Sequence, residues 1–264
     1  MTNDFFDSDL VIATYDHLTE QANQQITGDV EFYLDCAERF GSPVLELGVG
    51  TGRIAWALAK AGHEVVGLDR SKGMLDAAQR KSENYGDDVS RRVTLIETDI
   101  ASFDLARKMP LALIPFSTFQ HLTTPDQQRA CLTAVHRHLI PGGHLVLDVF
   151  DPILDACTPG APTPNPDREA IEPGTGHLLR RKSIERINDP QSQIVHETFA
   201  LERLDASGKL LASDQATHHL RWATRQEIAW LFELCEFEIE AEYADFDRNA
   251  PAYGKRQIWI VKAA

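Results

Sequence analysis

A glycine-rich stretch at residues 44–53, Val-Leu-Glu-Leu-Gly-Val-Gly-Thr-Gly-Arg, constrains the fold of this chain more than any other segment. Its apolar residues predict a buried strand that ends at Gly48, and a helix over 54–61 follows. Glycine permits left-handed backbone in a tight turn and lets a ligand approach bare backbone. A helix that begins at such a turn presents free N–H groups and the positive end of its dipole. The stretch therefore predicts a ligand site between a strand and a helix.

The spacing of the glycines narrows the choice of ligand. Gly48-x-Gly50-x-Gly52 is one residue shorter than the Gly-x-Gly-x-x-Gly pattern of dinucleotide sites. Glu46 precedes the first glycine by two residues, and a carboxylate there repels a pyrophosphate but suits a cation. S-adenosylmethionine carries a sulfonium and an ammonium and no phosphate. The turn therefore favours S-adenosylmethionine over NAD.

An acidic residue ends each of three successive predicted strands. Glu46 ends the first strand, Asp69 follows a strand over 64–68, and Asp99 follows one over 93–97. Asp69 lies 21 positions after Gly48, which is the separation expected for an acid that binds ribose hydroxyls. Ligands of open α/β sheets bind at the carboxyl ends of the strands, so the three acids are expected at one site.

These residues together resemble the first motif and strand-end acids of the class I S-adenosylmethionine-dependent methyltransferases. The layout is closest to the small-molecule N-methyltransferases of the sugar-amine, glycine and peptide N-terminal types. The resemblance implies a doubly wound, seven-stranded, mostly parallel sheet with an antiparallel last strand and a small inserted antiparallel sheet as a lid. It implies S-adenosylmethionine as cofactor and S-adenosylhomocysteine as product. The residues that it assigns to the cofactor are Tyr15, Tyr33, Glu46, Gly48, Gly50, Thr51, Gly52, Asp69, Arg70, Met74, Asp99, Ile100 and Phe116.

The chain is expected to have three parts. Residues 1–43 form an N-terminal helical cover, whose second helix Thr27 is predicted to cap. Residues 44–151 and 224–264 form the methyltransferase core, and 152–223 form the inserted subdomain that specifies the substrate. Six of the 13 prolines lie between Asp151 and Pro173 and predict an extended linker. Alternating segments then predict three antiparallel strands over 178–187, 194–204 and 210–222.

The fourth predicted strand, 111–116, departs from the family pattern. Pro110 is tolerated only at the entry of a strand, so this strand is expected to be short or kinked there. Its exit has Ile114 before a single proline, where nucleic-acid amino-methyltransferases have an acid or amide before Pro-Pro. His121 follows this exit, and the resemblance to sugar-amine N-methyltransferases places a histidine beside the acceptor. His121, with Tyr15, is therefore the candidate catalytic pair, because an ordinary histidine pKa of ~6.5 permits proton transfer near neutrality.

Composition limits the partners. The formal net charge of −14 disfavours nucleic acid and anionic membrane surfaces. The N-terminus lacks the features of a signal peptide, and no apolar run approaches the length of a membrane span, so a cytoplasmic location is expected. The cysteines are scattered and read as reduced thiols, and no metal-ligand spacing is present. A small-molecule acceptor is expected, and the inserted sheet is a candidate surface for a homodimer.

The primary hypothesis is methyl transfer by in-line displacement to an amine or hydroxyl of a small molecule, with nitrogen favoured over oxygen. A peptide or protein amine is an alternative acceptor, since peptide N-terminal methyltransferases share the strand-rich insertion. A cofactor-binding protein without catalysis is a second alternative, suggested by the unusual entry of the fourth strand. An NAD-dependent oxidoreductase is disfavoured by Glu46 and by the short glycine spacing.

Overall fold

The computed structural model describes residues 3–23, 28–153 and 167–264. These residues divide into two compact units. The inserted unit contains residues 3–23 and 167–220, and the core unit contains 28–153 and 221–264. In chain order the strands and α-helices are β1 (Asn3–Asp4), α1 (Asp9–Asn23), α2 (Asp29–Phe40), β2 (Val44–Leu47), α3 (Arg53–Lys60), β3 (Val65–Asp69), α4 (Lys72–Lys81), α5 (Asp87–Ser90), β4 (Val93–Glu97), β5 (Met109–Ile114), α6 (Pro125–His138), β6 (Leu139–Phe150), β7 (Arg168–Ile171), β8 (Leu178–Asp189), β9 (Ile194–Leu204), β10 (Leu210–Arg221), α7 (Arg225–Leu234), β11 (Phe237–Tyr243) and β12 (Arg256–Ala263).

The core unit is built on a seven-stranded sheet with the order β11-β12-β6-β5-β2-β3-β4. The five strands from β6 to β4 in this order are parallel, and β12 is antiparallel to both β6 and β11. Every residue of β2 and β3 is buried, as near-continuous apolar runs require in a parallel sheet covered on both faces. The predicted doubly wound sheet with an antiparallel last strand is therefore confirmed.

The entry of β5 is irregular, as the position of Pro110 predicts. The register of β5 against β6 shifts between Met109 and Leu111. The sequence predicts a turn at Pro141-Gly142-Gly143 and a strand over 144–150 after it. In the structure this strand, β6, begins earlier, at Leu139. Leu139 is buried and pairs with Met109, so the chain is already extended before the Pro-Gly-Gly segment.

The inserted unit contains a five-stranded sheet with the order β1-β10-β9-β8-β7. The three predicted antiparallel strands are present as β8, β9 and β10, and β7 is a fourth antiparallel strand that the pattern did not indicate. Most of the predicted proline-rich linker lies outside the described residues, as does Thr27. Helix α2 follows Gly28, whose φ of 83° is left-handed.

Candidate functional site

The glycine turn joins β2 to α3 at the carboxyl edge of the core sheet. Gly48, Gly50 and Gly52 have left-handed φ angles of 70°, 54° and 80°. A Cβ atom added at Gly48 would lie 2.2 Å from Thr118 Cγ2, so Thr118 packs directly on this glycine. A Cβ atom added at Gly50 would meet nothing within 4 Å. Gly50 is thus the position where bare backbone faces open space that a ligand can fill.

Glu46 is the most unusual carboxylate of the site. Its side chain is 2% exposed, and its Oε2 has no hydrogen-bond partner within the described residues. Burial raises its pKa to about 8, and Asp69 contributes in the same direction while Arg53 opposes the shift. A buried carboxylate with an unsatisfied oxygen is unfavourable unless a partner compensates it. A cationic group of a ligand is one kind of partner that would compensate it.

Asp69 is fixed by the turn. Its Oδ2 accepts a hydrogen bond from Gly50 N at 2.8 Å, and its Oδ1 accepts one from Ser71 N at 2.9 Å. Burial raises the pKa of Asp69, while the two backbone N–H groups act in the opposite direction. Each carboxylate oxygen can accept a second hydrogen bond. The side chain is therefore held in one orientation and still suits the two hydroxyls of a ribose.

Asp99 follows β4, which lies beside β3 in the sheet. Glu46 lies in β2, Asp69 is the last residue of β3 and Asp99 follows β4, so the three predicted acids lie at or near the carboxyl ends of three neighbouring strands. Asp99 is exposed, and its Oδ1 accepts a hydrogen bond from Ala101 N at 2.8 Å, as in an Asx turn. The remaining predicted cofactor residues of this edge differ in exposure: Thr51 and Met74 are buried, Ile100 is half-buried and Arg70 is exposed.

A buried acid, Asp148, organises the exit of β5. Tyr33 Oη and Phe116 N both donate to its Oδ1 at 2.6 Å, and Arg256 Nη2 donates to its Oδ2. Burial, followed by the charge of Asp148, raises the pKa of Tyr33 well above its usual value. Tyr33 is fully buried, and its hydroxyl donates its hydrogen bond to Asp148. Asp148 was not predicted as a site residue, although a single acid in the apolar strand Leu-Val-Leu-Asp-Val-Phe is a signal for one.

The residues after β5 adopt a strained conformation. Phe116 and Ser117 have φ angles of 56° and 61°, which are uncommon for residues other than glycine. Asp148 holds Phe116 through its backbone N–H, and Arg256 Nη2 donates to Ser117 Oγ at 2.9 Å. The guanidinium of Arg53, at the start of α3, lies 5.5 Å from the centre of the Phe116 ring. Phe116 therefore lies beside the first turn of the helix that follows the glycines.

His121 is half-buried and ends a 3-10 helix over Thr118–His121. The side chain of Gln120 fixes this helix, since it accepts from Phe150 N at 2.9 Å and donates to Arg221 O at 3.4 Å. The contact of Thr118 with Gly48 ties the same helix to the glycine turn. Tyr15, the other candidate catalytic residue, lies on α1 of the inserted unit, where it is half-buried with its ring centre 6.1 Å from that of Phe5.

The described part of the chain contains neither a cluster of metal ligands nor a membrane-spanning helix. No group of three or more His, Cys, Asp or Glu side chains there is arranged to hold a metal ion. None of its helices is both long and apolar enough to cross a membrane. Its cysteines Cys36, Cys131 and Cys235 are buried thiols.

The core site combines open backbone at Gly50, an anchored acid at Asp69 and, at Glu46, a buried carboxylate oxygen that no described residue pairs with. These features match a ligand that carries a ribose and a positive charge and no phosphate. Such features on a doubly wound α/β sheet are those expected of an S-adenosylmethionine-binding protein.

Comparison with known proteins agrees with this class. A methyltransferase-domain family model matches residues 44–143. The cypemycin N-terminal methyltransferase of a Streptomyces species is 34% identical over 221 residues, which cover 84% of this chain and 82% of that protein. The CcbJ methyltransferase of Streptomyces caelestis has a similar structure, with a TM-score of 0.73, 24% identity and coverage of 90% of this chain and 91% of the other.

A second similar structure contains the cofactor. CalS10 of Micromonospora echinaspora, an amino pentose methyltransferase with bound S-adenosylmethionine, superposes with a TM-score of 0.64 at 22% identity. The match covers 89% of each chain. The present chain belongs to the class I S-adenosylmethionine-dependent methyltransferases, and S-adenosylmethionine is its cofactor.

Proposed function

We propose that the methyl acceptor is an amine nitrogen of a small molecule. The observation that carries the proposal is the position of His121, half-buried at the carboxyl edge and tied to the glycine turn through Thr118. The names of two similar proteins support nitrogen over oxygen, since one is an N-terminal methyltransferase and the other an amino pentose methyltransferase. The net charge of −14 also favours the approach of cationic amines.

The proposed roles follow from the chemistry of the acceptor. S-adenosylmethionine supplies a methyl group on a positively charged sulfur. An amine is mostly protonated at neutral pH and becomes a nucleophile only after it loses a proton. His121 is proposed to accept that proton or to orient the amine, because histidine changes charge near neutrality. Tyr15 is proposed to orient the acceptor. Glu46, Asp69 and the backbone of Gly50 are proposed to hold the cofactor.

A peptide amine is the second candidate acceptor. It is favoured by the similarity to the cypemycin enzyme, which extends over most of both chains. A small-molecule amine and a peptide amine differ only as acceptors, because the proposed roles of the cofactor residues are the same for both. A panel of small amines, amino sugars, phenols and short peptides with free N-termini therefore distinguishes them. Mass spectrometry of the products identifies the methylated atom.

The experiment that tests the proposal compares His121→Ala with the wild type and with His63→Ala as a matched control. His63 lies just before β3, at the end of the strand opposite the glycine turn. We expect His121→Ala to lower kcat on the best amine by about 10²- to 10⁴-fold and to flatten the acidic limb of its pH profile. His63→Ala is expected to retain wild-type kinetics. Full kcat in His121→Ala, or methylation of phenols in preference to every amine, contradicts the proposal.

A further inference from the structure

The inserted unit buries charged side chains on the face of its sheet that packs against α1. The apolar residues of that packing are Val11, Leu18, Ala170, Leu179, Phe199, Leu201 and Ala216. Arg181 and Glu197 lie among them with only 6% and 3% of their surface exposed. Charged residues are almost never buried to this extent unless they are paired. The hydrogen-bond partners of these two residues therefore indicate which charged group, if any, is left to be paired on this face.

Glu197 is fully engaged by two basic side chains. Arg181 Nη2 donates to its Oε1 at 2.8 Å, and His218 Nε2 lies 2.9 Å from its Oε2. The guanidinium of Arg181 also lies 4.2 Å from the centre of the Phe199 ring, in a cation–π contact. The guanidinium is thus held in place on one edge and one face.

The other edge of the Arg181 guanidinium is unsatisfied. Its Nη1 is buried and has no hydrogen-bond partner within the described residues. A buried donor of a charged group is expensive to leave unpaired. Among the described residues, no acceptor therefore completes the pairing of Arg181.

A second arginine faces the same position. Arg168 on β7 is directly opposite Arg181 on β8 in the register of the sheet. Like charges directly opposite each other destabilise a sheet. The side chain of Arg168 makes no hydrogen bond or ion pair with another described residue, although its backbone pairs with β8. Burial, followed by the charge of Arg181, lowers the pKa of Arg168. Within the described residues, the carboxylate of Glu197 is the one counterion of these two guanidinium groups, which leaves one positive charge there uncompensated.

We propose that Arg168 and the Nη1 edge of Arg181 bind a carboxylate group of a small-molecule ligand on this face of the inserted unit. A guanidinium presents parallel N–H donors that match the two oxygens of a carboxylate. The half-buried ring of Phe5 lies 5.4 Å from that of His218 and 5.6 Å from that of Phe199, so a carboxylate with an aromatic body matches the surroundings. The proposal goes beyond methyl transfer to an amine and does not depend on it.

Calorimetric titration of the full chain with sodium benzoate at constant ionic strength tests the site. Arg168→Met removes one proposed ligand, and Arg181→Lys retains the charge that pairs with Glu197 but removes the Nη1 edge. Arg180→Met is the matched control, since Arg180 is adjacent in sequence, is 28% exposed and pairs with Glu169 and Glu202. Circular dichroism verifies that each variant is folded.

We expect saturable binding of benzoate to the wild type and to Arg180→Met with equal affinity. The affinity is expected to fall about tenfold or more in Arg168→Met and in Arg181→Lys, because each loses charge-assisted hydrogen bonds. The proposal is overturned if the folded wild type shows no saturable binding, or if Arg168→Met binds benzoate as tightly as the wild type does.

A second measurement identifies the source of the carboxylate. Tyrosine and tyramine differ only in the carboxylate, so their rates of methylation are compared in the wild type and in Arg168→Met. If the acceptor carries the carboxylate, the wild type prefers tyrosine and Arg168→Met loses that preference. If the carboxylate belongs to a separate ligand, benzoate still binds and the ratio of the two rates is the same in both proteins. Benzoate binding without methylation of any amine counts against the proposed function and leaves the carboxylate site standing.

Discussion

The buried carboxylate of Glu46 predicts that cofactor binding is coupled to proton release. Its pKa of about 8 in the ligand-free protein means that ~90% of the side chains are protonated at pH 7. A bound ammonium group favours the ionised form and returns the pKa towards its ordinary value. Binding of S-adenosylhomocysteine at pH 7 should therefore release close to one proton per molecule. Arg53 and Asp69 are the charged neighbours that act on Glu46.

The same coupling sets the size of the pH dependence. If the ligand binds only the ionised form, the affinity rises on the order of 50-fold between pH 6 and pH 8, as the ionised fraction rises from ~1% to ~50%. The stability of the ligand-free protein changes in the opposite sense. A carboxyl group whose pKa is raised on folding stabilises the folded state fully below its unfolded pKa of ~4.3, and that contribution is lost as the pH rises towards about 8. Glu46→Gln should remove both effects.

Calorimetry in buffers of different ionisation enthalpy measures the number of protons released. Glu64→Gln is the matched control, because Glu64 lies just before β3 and its side chain is 61% exposed. Methylthioadenosine, which lacks the ammonium group, provides a second control with the same nucleoside. We expect proton release only when S-adenosylhomocysteine binds a protein that retains Glu46. Equal proton release by Glu46→Gln and the wild type, or none by either, refutes the reasoning.

Two further substitutions test the geometry of the site. Gly50→Ala should cost about 1–2 kcal/mol of stability, because the φ of Gly50 is left-handed at 54°. The same substitution should abolish S-adenosylhomocysteine binding. Gly48→Ala should destabilise the fold more, because its Cβ would lie 2.2 Å from Thr118 Cγ2. Urea denaturation compares the two, and equal costs would contradict the assignment of the open position to Gly50. Tyr33→Phe should lower the free energy of unfolding by about 1–3 kcal/mol through the lost hydrogen bond to Asp148, with little effect on cofactor affinity. An unchanged free energy of unfolding would show that this hydrogen bond does not stabilise the protein.

The local patterns of the chain were sufficient to predict most of its architecture. Apolar runs broken by glycine predicted the parallel core, and alternation with turn residues predicted β8, β9 and β10 close to their observed limits. The spacing Thr224-x-x-Glu227 predicts a capping box at the start of α7, and the structure has it. These features depend on neighbouring residues, and so they can be read from short windows. The start of β6 was misplaced because its first residue pairs with Met109, some 30 positions away in the chain.

By itself the sequence determined the cofactor class, since the glycine spacing and the positions of Glu46 and Asp69 are properties of short segments that any parallel sheet brings to one edge. Only the tertiary structure decided which distant side chains pair with one another through hydrogen bonds and charges. The hydroxyl of Tyr33 binds an acid 115 residues away, and Arg256 reaches the same acid from another strand. Likewise, only the paired strands β7 and β8 bring Arg168 opposite Arg181, and only the packed structure shows that Arg181 Nη1 has no partner among the described residues. Burial and the pairing of distant charges are properties of the packed molecule, because they depend on every element that removes water from a side chain.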